Sequence, residues 1–181
     1  MKLALLAIAL TATTLSMAAN FSTVVNNTTA ATMMLIKIHT INDPAISPGV
    51  PRVVTKENLC TTSTGLVRNV PESEKKQVYK NYGLTGNHTG YCKNPDTTIK
   101  GMNSGCEVDH IISLELGGSN DIKNLWPQPY FGHANAHDKD KLENKLHSLI
   151  CSDKISIEDA QKAISTNWTV GYEKYIGKLP K

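Results

Sequence analysis

The segment of residues 107–150 constrains the fold more than any other part of the chain. Glu107 to Leu116 alternates loosely between β-forming and polar residues, and Gly117-Gly118-Ser119-Asn120 is a strong turn signal before a second short strand through Leu125-Trp126. From about Asn135 to Ile150, apolar residues recur at helical spacing, namely Leu142, Leu146, Leu149 and Ile150. The segment therefore predicts a strand, a turn, a strand and a helix, and hence an α+β fold.

The rest of the chain predicts helices on either side of this segment. Short β-like pieces are expected at residues 53–54, 59–60 and 67–70, then a helix from Pro71 to Tyr82 capped by Gly83, and a loop over residues 84–105. A last helix should start at Ser156, because Ser156-x-x-Asp159 resembles a capping box. Its inner stripe is expected to be core: Ile157, Ala160, Ile164, Trp168 and Tyr172.

The first nineteen residues have the layout of a secretory signal peptide. Lys2 precedes an apolar run from Leu3 to Leu10, and small residues follow up to Ala18-Ala19, where cleavage is expected. The apolar run is too short to span a bilayer, so we expect a secreted or periplasmic protein with no membrane association after cleavage. Residues 20–50 are predicted to be a flexible leader, and residues 51–181 a single domain.

Four cysteines follow this N-terminal segment: Cys60, Cys92, Cys106 and Cys151. In an oxidising compartment an even number suggests two disulfides, and no C-x-x-C pair points to a thiolate zinc site. Of the three pairings available, we favour Cys60 with Cys151, which ties the two ends of the mature chain, and Cys92 with Cys106, which closes a short loop.

The charge of the chain is weakly positive, at +3. Loss of Lys2 with the signal peptide leaves 18 basic and 16 acidic residues, or +2. This balance neither demands nor excludes a polyanionic partner.

The run CEVDHIISLELGGSNDIKNLWPQPY, residues 106–130, resembles the HNH endonuclease family. The resemblance rests on Asp109-His110, Gly117-Gly118 and Asn124-Leu125, with fourteen positions from His110 to Asn124. The following Trp126-Pro127-Gln128-Pro129 and Lys139-Asp140-x-Leu142-Glu143, together with Ala136, look like a secreted bacterial subgroup. The resemblance covers about residues 59–172 and is tight over 106–146.

What the resemblance implies is a ββα-metal core over about residues 106–150, flanked by helices and stabilised by disulfides. Phosphodiester hydrolysis needs a base that deprotonates water and a cation that offsets the developing charge. By resemblance His110 is the base, Asp109 holds one divalent metal ion, and Asn124 orients the histidine. The expected substrate is DNA, with RNA as an alternative, and little sequence specificity is expected because no DNA-reading module accompanies this core.

The metal ligand on the helix stays open between three residues. Asn135 and His137 are equal first choices beside Asp109, and His133, nine residues after Asn124, is the second choice. A carboxylate with an amide oxygen suits Mg²⁺ or Mn²⁺, whereas imidazoles favour Zn²⁺ or Ni²⁺. We favour Mg²⁺.

The lysines of the same region are interleaved with acids, which is typical of a solvated mixed-charge face. Lys139 is the exception, and its place in the family-like motif predicts a contact with substrate phosphate. Two alternatives to a nuclease are a catalytically inactive secreted binding module on the same scaffold and a structural protein without metal. No protein partner follows from the sequence.

Overall fold

The computed structural model of the chain describes residues 40–84 and 105–180. Within those ranges the fold mixes helices with one small sheet, as the α+β prediction requires. The elements in chain order are α1 (Lys56–Thr61), α2 (Glu72–Asn81), β1 (Cys106–His110), β2 (Leu125–Pro129), α3 (Ala136–Cys151) and α4 (Ile157–Tyr175). Short 3₁₀ helices lie at Thr64–Leu66, Leu114–Leu116 and Ile122–Asn124.

Strands β1 and β2 form an antiparallel pair in which Asp109 faces Trp126 and His110 faces Leu125. Pro127 and Pro129 lie in β2 although proline has no N–H to donate. They are tolerated because each strand of a two-stranded sheet has one edge that needs no ladder bond. The predicted hairpin is confirmed, and β2 runs further than Leu125-Trp126.

The connection between the strands passes through a close contact at Gly118. A Cβ atom at this position would lie 1.7 Å from the Ile112 carbonyl oxygen and 2.8 Å from Asn124 Nδ2. Only glycine lets the two backbone segments approach this closely. Gly118 is therefore required by packing, whereas Gly117 has a φ of +84°, which the turn reserves for glycine.

The main core lies between α3 and α4. Asn135 is the N-cap of α3 and Ser156 that of α4, where Ser156 Oγ accepts a hydrogen bond from Asp159 N at 3.0 Å. Both predicted helix starts are thus confirmed. The buried residues of this core come from both helices and from the connections around the sheet: Ile112, Leu116, Ala134, Leu142, Leu146, Ile150, Ala160, Ile164, Trp168, Tyr172 and Leu179.

Helix α2 confirms the prediction for Pro71 to Tyr82, but the β-like pieces around it are wrong. Residues 59–60 lie in α1, which starts because Thr55 Oγ1 accepts a hydrogen bond from Asn58 N at 3.2 Å. Residues 53–54 and 67–70 form no strand, and Val53 is fully exposed. The β-propensity of these residues does not produce strands, because neither described strand pairs with them.

The predicted leader ends earlier than residue 50. Ser47 Oγ donates to the Leu125 carbonyl at 2.7 Å, and the Thr40 carbonyl accepts from Trp168 Nε1 at 2.6 Å. Residues 40–50 therefore pack on the domain, and the polar composition that suggested a flexible leader serves these hydrogen bonds. The predicted signal peptide and the remainder of the leader lie outside the described residues. No helix of the described part of the chain has the length and apolar character to cross a membrane.

A disulfide joins Cys60 of α1 to Cys151 at the end of α3, with a Cα–Cα distance of 5.8 Å. This pairing confirms the prediction. Cys106 is also disulfide-bonded. Its predicted partner, Cys92, lies outside the described residues.

Candidate functional site

His110 is the last residue of β1, and its side chain points into the protein. The residue is 2% exposed, and its Nε2 lies 3.1 Å from Asn120 Oδ1. Burial lowers the pKa of His110, although the neighbouring Asp109 carboxylate opposes the effect. The imidazole is therefore neutral near pH 7, which is the form that can accept a proton.

Asn120 sets which nitrogen of His110 carries the proton. The Asn120 Nδ2 donates to the Val67 carbonyl at 2.8 Å, and its Oδ1 also accepts from Asn69 N at 3.2 Å. Because an amide oxygen can only accept, His110 Nε2 must donate to it. In the neutral ring the lone pair then resides on Nδ1, to which no described residue offers a hydrogen bond.

Asn124 is buried completely and bonds only to main-chain groups. Its Oδ1 accepts from Val50 N at 3.1 Å and Ile112 N at 3.0 Å. Its Nδ2 donates to the carbonyls of Ile112 at 3.0 Å and Ser119 at 2.8 Å. Asn124 therefore joins the chain just after His110 to the turn that carries Asn120.

Asp109 points to the other side of β1 from His110 and meets a lysine. Lys139 Nζ of α3 lies 2.6 Å from Asp109 Oδ2 and 2.7 Å from the His110 carbonyl oxygen, and it also contacts Glu143 Oε1. The Lys139 side chain is 1% exposed. We predicted that this lysine contacts substrate phosphate. In the structure its buried ammonium instead contacts protein oxygens.

The electrostatics of this cluster follow from one ammonium that lies between two carboxylates. Burial opposes the charge of Lys139, but Asp109 and Glu143 outweigh it and raise the pKa of the lysine. Burial raises the pKa of Glu143 to about 8, against the opposing effect of Lys139. One positive charge offsets one carboxylate, and the second carboxyl group tends to keep its proton.

The predicted helix ligands do not turn towards Asp109. Asn135 caps its own helix: its Oδ1 accepts from Asp138 N at 3.4 Å and its Nδ2 donates to the Gly132 carbonyl at 2.9 Å. His137 is exposed, with its Nδ1 3.8 Å from Asp140 Oδ2. His133 is exposed in the bend before α3.

These positions decide whether the expected divalent ion fits. Asp109 Oδ2 is bonded to an ammonium, and the Asn135 amide serves the N-terminus of α3. In residues 40–84 and 105–180, no group of three His, Cys, Asp or Glu side chains that includes Asp109 brings its ligand atoms within 4.8 Å of one another. The predicted ligand set does not fit a divalent ion in this arrangement.

A different group has metal-ligand types close together. Cys60, His147 and Cys151 offer ligand atoms that all lie within 4.8 Å of one another. The two sulfurs are bonded to each other, and His147 Nε2 lies 3.0 Å from the Leu59 carbonyl oxygen. Because metals bind thiolates, this group could hold an ion only after reduction of the disulfide.

A pocket of about 270 Å³ has Glu143, the partner of Lys139, among its lining residues. Arg68 and three acids are on its wall, and Ser113 Oγ is buried there without a hydrogen-bond partner among the described residues. Arg68 is near enough to His110 to contribute to the lowered pKa of that residue. The lining residues are Thr64, Arg68, Ser113, Leu114, Glu115, Asp140, Glu143 and Asn144.

Sequence reasoning missed Asn120, Glu143 and Arg68. Asn120 belonged to the predicted turn, and its polar side chain four residues before Asn124 gave no sign of a contact with His110. Glu143 lies one helical turn after Lys139, and this i, i+4 spacing of opposite charges was the available signal. Arg68 precedes the described sheet by a long stretch of chain, so its approach depends on tertiary structure.

No protein-family model matches the chain, and the chain matches neither a curated protein nor a solved structure.

Proposed function

We propose that this protein is an endonuclease of the HNH type that hydrolyses phosphodiester bonds in DNA, with RNA as the alternative substrate. One observation carries the proposal: His110 ends β1 with its Nε2 bonded to Asn120, beside an Asn124 that clamps the adjoining chain. This arrangement supports a histidine held in one orientation and one tautomer, as a general base requires.

In the proposed reaction His110 Nδ1 removes a proton from a water molecule as the water oxygen bonds to phosphorus. The P–O bond to one nucleotide then breaks, and the leaving oxygen takes a proton from solvent. The Asn120 Oδ1 then stabilises the imidazolium through Nε2, in the role of the orienting acceptor in other base-assisted hydrolyses. The proposal includes no step through a metal ion at Asp109, because the predicted ligands do not meet there. Dependence of the activity on a divalent ion is a separate prediction from the resemblance.

The burial of His110 sets a condition on the proposal. With 2% of the residue exposed, the scissile phosphate can reach Nδ1 only if neighbouring groups move when the substrate binds. A small opening of this kind is common in enzymes that complete their site on substrate binding.

A second candidate function is favoured by that same burial. In this reading the hairpin and α3 form a binding module without catalysis, and Asp109 with Lys139 is a structural ion pair. Buried ion pairs are commonly structural, and they position elements more than they stabilise them. The two candidates differ in whether the protein cuts nucleic acid.

The proposed location is extracellular or periplasmic. The Cys60–Cys151 disulfide is compatible with an oxidising compartment. The predicted signal peptide supports the same location.

Purified protein incubated with supercoiled plasmid tests the proposal. Wild type should nick the plasmid, and His110→Ala should lose nearly all of this activity. His147→Ala is the matched control. It also removes an imidazole, but His147 Nε2 contacts the Leu59 carbonyl oxygen of α1 and not β1. A folded wild-type protein that cleaves neither plasmid DNA nor RNA, in EDTA or in Mg²⁺, would favour the binding module.

A further inference from the structure

Three oxygen atoms converge on one point at the start of α3, and Lys139 Nζ occupies that point. They are Asp109 Oδ2 at 2.6 Å, the His110 carbonyl oxygen at 2.7 Å and Glu143 Oε1. Carboxylate and carbonyl oxygens are also the donors that a hard divalent cation collects, at shorter distances of about 2.0–2.6 Å. The environment of this ammonium therefore resembles the environment of a bound metal ion.

The position of the lysine is determined from several sides. Its side chain is 1% exposed, and each ammonium proton has an oxygen acceptor. Release of the ammonium would leave the Asp109 carboxylate without its counter-charge and Glu143 Oε1 without its hydrogen-bond donor, on side chains that are 20% and 13% exposed. Uncompensated charges at such positions are costly, so the lysine is not easily displaced.

We infer that Lys139 is the fixed cation of this site: its ammonium holds the position beside Asp109 that the resemblance assigns to a divalent ion, and the protein binds no divalent ion there. The inference deepens the proposed function and rests on it for the consequence in catalysis. Lys139 is then a positioning residue that holds Asp109 and the backbone of His110 in place.

The same geometry predicts what happens when the lysine is removed. Lys139→Ala leaves the Asp109, Glu143 and His110 oxygens facing a common space without a cation. Carboxylate and carbonyl oxygens are ligands that Mn²⁺ and Mg²⁺ accept. The variant should therefore gain a divalent-cation site that the wild type lacks.

Mn²⁺ binding, followed by electron paramagnetic resonance with a calorimetric titration, tests this without reference to activity. Lys139→Ala should gain one bound Mn²⁺ per chain relative to wild type, and adding Asp109→Asn to the variant should abolish the gain. Lys141→Ala is the matched control: Lys141 lies two residues further along α3, is 56% exposed and pairs with Asp138, so its loss should leave Mn²⁺ binding unchanged.

The wild type itself can overturn the inference. If wild type binds Mn²⁺ and Asp109→Asn loses that ion, the metal displaces the lysine and the inference fails, whatever the Lys139→Ala variant does. A folded Lys139→Ala without added Mn²⁺ binding also contradicts it. Thermal melting identifies a variant that has not folded, and Lys139→Met, which retains the length of the stem, then takes its place.

The failure of this inference can be told apart from the failure of the proposed function. Mn²⁺ bound at Asp109 of a wild type that nicks plasmid overturns the fixed cation and leaves the nuclease. Expected Mn²⁺ results in a protein that cleaves no nucleic acid overturn the nuclease and leave the fixed cation.

Discussion

The Asn124 side chain fills its hydrogen-bonding positions with main-chain groups of three separate segments. Val50 belongs to the chain before α1, Ile112 to the chain just after β1, and Ser119 to the turn. A side chain of another shape would leave several of these groups unpaired in the interior. Buried groups without a partner cost about 1–3 kcal/mol each, so one asparagine influences both stability and the position of His110.

Asn124→Ala should therefore lower the free energy of unfolding by about 3 kcal/mol or more, since it strands buried N–H and C=O groups at once. Urea unfolding followed by circular dichroism measures the change. Asn144→Ala is the control, because Asn144 is exposed and its side chain donates to the Asp140 carbonyl of its own helix. Equal stability of the two variants would show that the Asn124 bonds contribute little.

Gly118→Ala tests the close approach in the hairpin connection. The added methyl group would lie 1.7 Å from the Ile112 carbonyl oxygen, so the backbone must shift. The expected loss exceeds about 2 kcal/mol, as is usual for overpacking against a backbone atom. At Gly65 the nearest atom to a new Cβ is Ser63 Oγ at 3.6 Å, and Gly65→Ala should change the melting temperature little. Similar melting curves for both variants would contradict the described approach.

The predictability of the site differs from residue to residue. Asp109 and His110 lie on opposite sides of β1, as alternation along a strand predicts, and Asn124 bonds to the backbone around the turn. The surroundings of Lys139 could not be predicted. Mixed charges along a helix usually face solvent, and whether one of them turns inward depends on the packing of α3 against β1.

Elements with strong local signals are predicted well, and those without are not. Helices α2, α3 and α4 carry caps and an apolar period in the sequence, and the hairpin carries its glycine turn. Helix α1 has six residues, too few to show a period, and its β-branched neighbours favoured strands. The backbone of α4 is not helical at Asn167, where Asn167 Oδ1 accepts a hydrogen bond from Thr169 N and caps the second half of the helix. The sequence did not predict this break.

The disulfide between α1 and α3 should contribute most of the stability that links these two elements. It closes a loop with a sequence separation of 91, and loss of such a crosslink costs about 2–5 kcal/mol. Cys60→Ser/Cys151→Ser should show that loss in chemical denaturation. The ion pair of Lys56 with Asp153 lies in the same region and is exposed, so Lys56→Ala should cost less than about 1 kcal/mol. If the serine variant is as stable as Lys56→Ala, the disulfide does not contribute the expected free energy of unfolding.

Glu143 should give the protein a pH-dependent stability. The pKa of its carboxyl group rises from an ordinary 4.5 to about 8 in the folded protein, chiefly through burial. Between these values the folded state holds a proton that the unfolded state releases, so stability falls as the pH rises from 4.5 towards 8.

Glu143→Gln should therefore reduce the fall in melting temperature over this pH range, because glutamine has no proton to lose. Burial also raises the pKa of Glu107, Glu115 and Asp140, so the dependence should weaken without disappearing. The exposed Glu158→Gln is the control and should follow the wild type. A pH profile of Glu143→Gln that coincides with that of wild type would contradict the raised pKa.

At the scale of the molecule, the chain before α1 belongs to the site's support. Gly49 N donates to the Lys123 carbonyl at 3.0 Å and Val50 N to Asn124 Oδ1 at 3.1 Å. Arg52 extends the contact, with its guanidinium on the carbonyls of Leu114 and Gly118. Composition suggested a leader up to residue 50 because turn-rich polar chain looks the same whether it is mobile or bonded to a neighbour. Long-range packing decides between the two, and a single sequence does not display it.

Among the described residues, His110 is a histidine that is buried and held by a side-chain contact, in an α+β fold with a disulfide. If His110 accepts the proton of the attacking water, the function of its ring can be supplied from solution. His110→Ala leaves space where the imidazole was, and free imidazole has the same titrating group. A merely structural histidine has no such property.

The most direct test is therefore the rate of plasmid nicking by His110→Ala as imidazole is added, with thermal melting to show that the variant is folded. We expect the variant alone to be inactive and its rate to rise with imidazole concentration, whereas Asn124→Ala should gain nothing from imidazole. Undiminished nicking by His110→Ala without imidazole would contradict the assignment of His110 as the base.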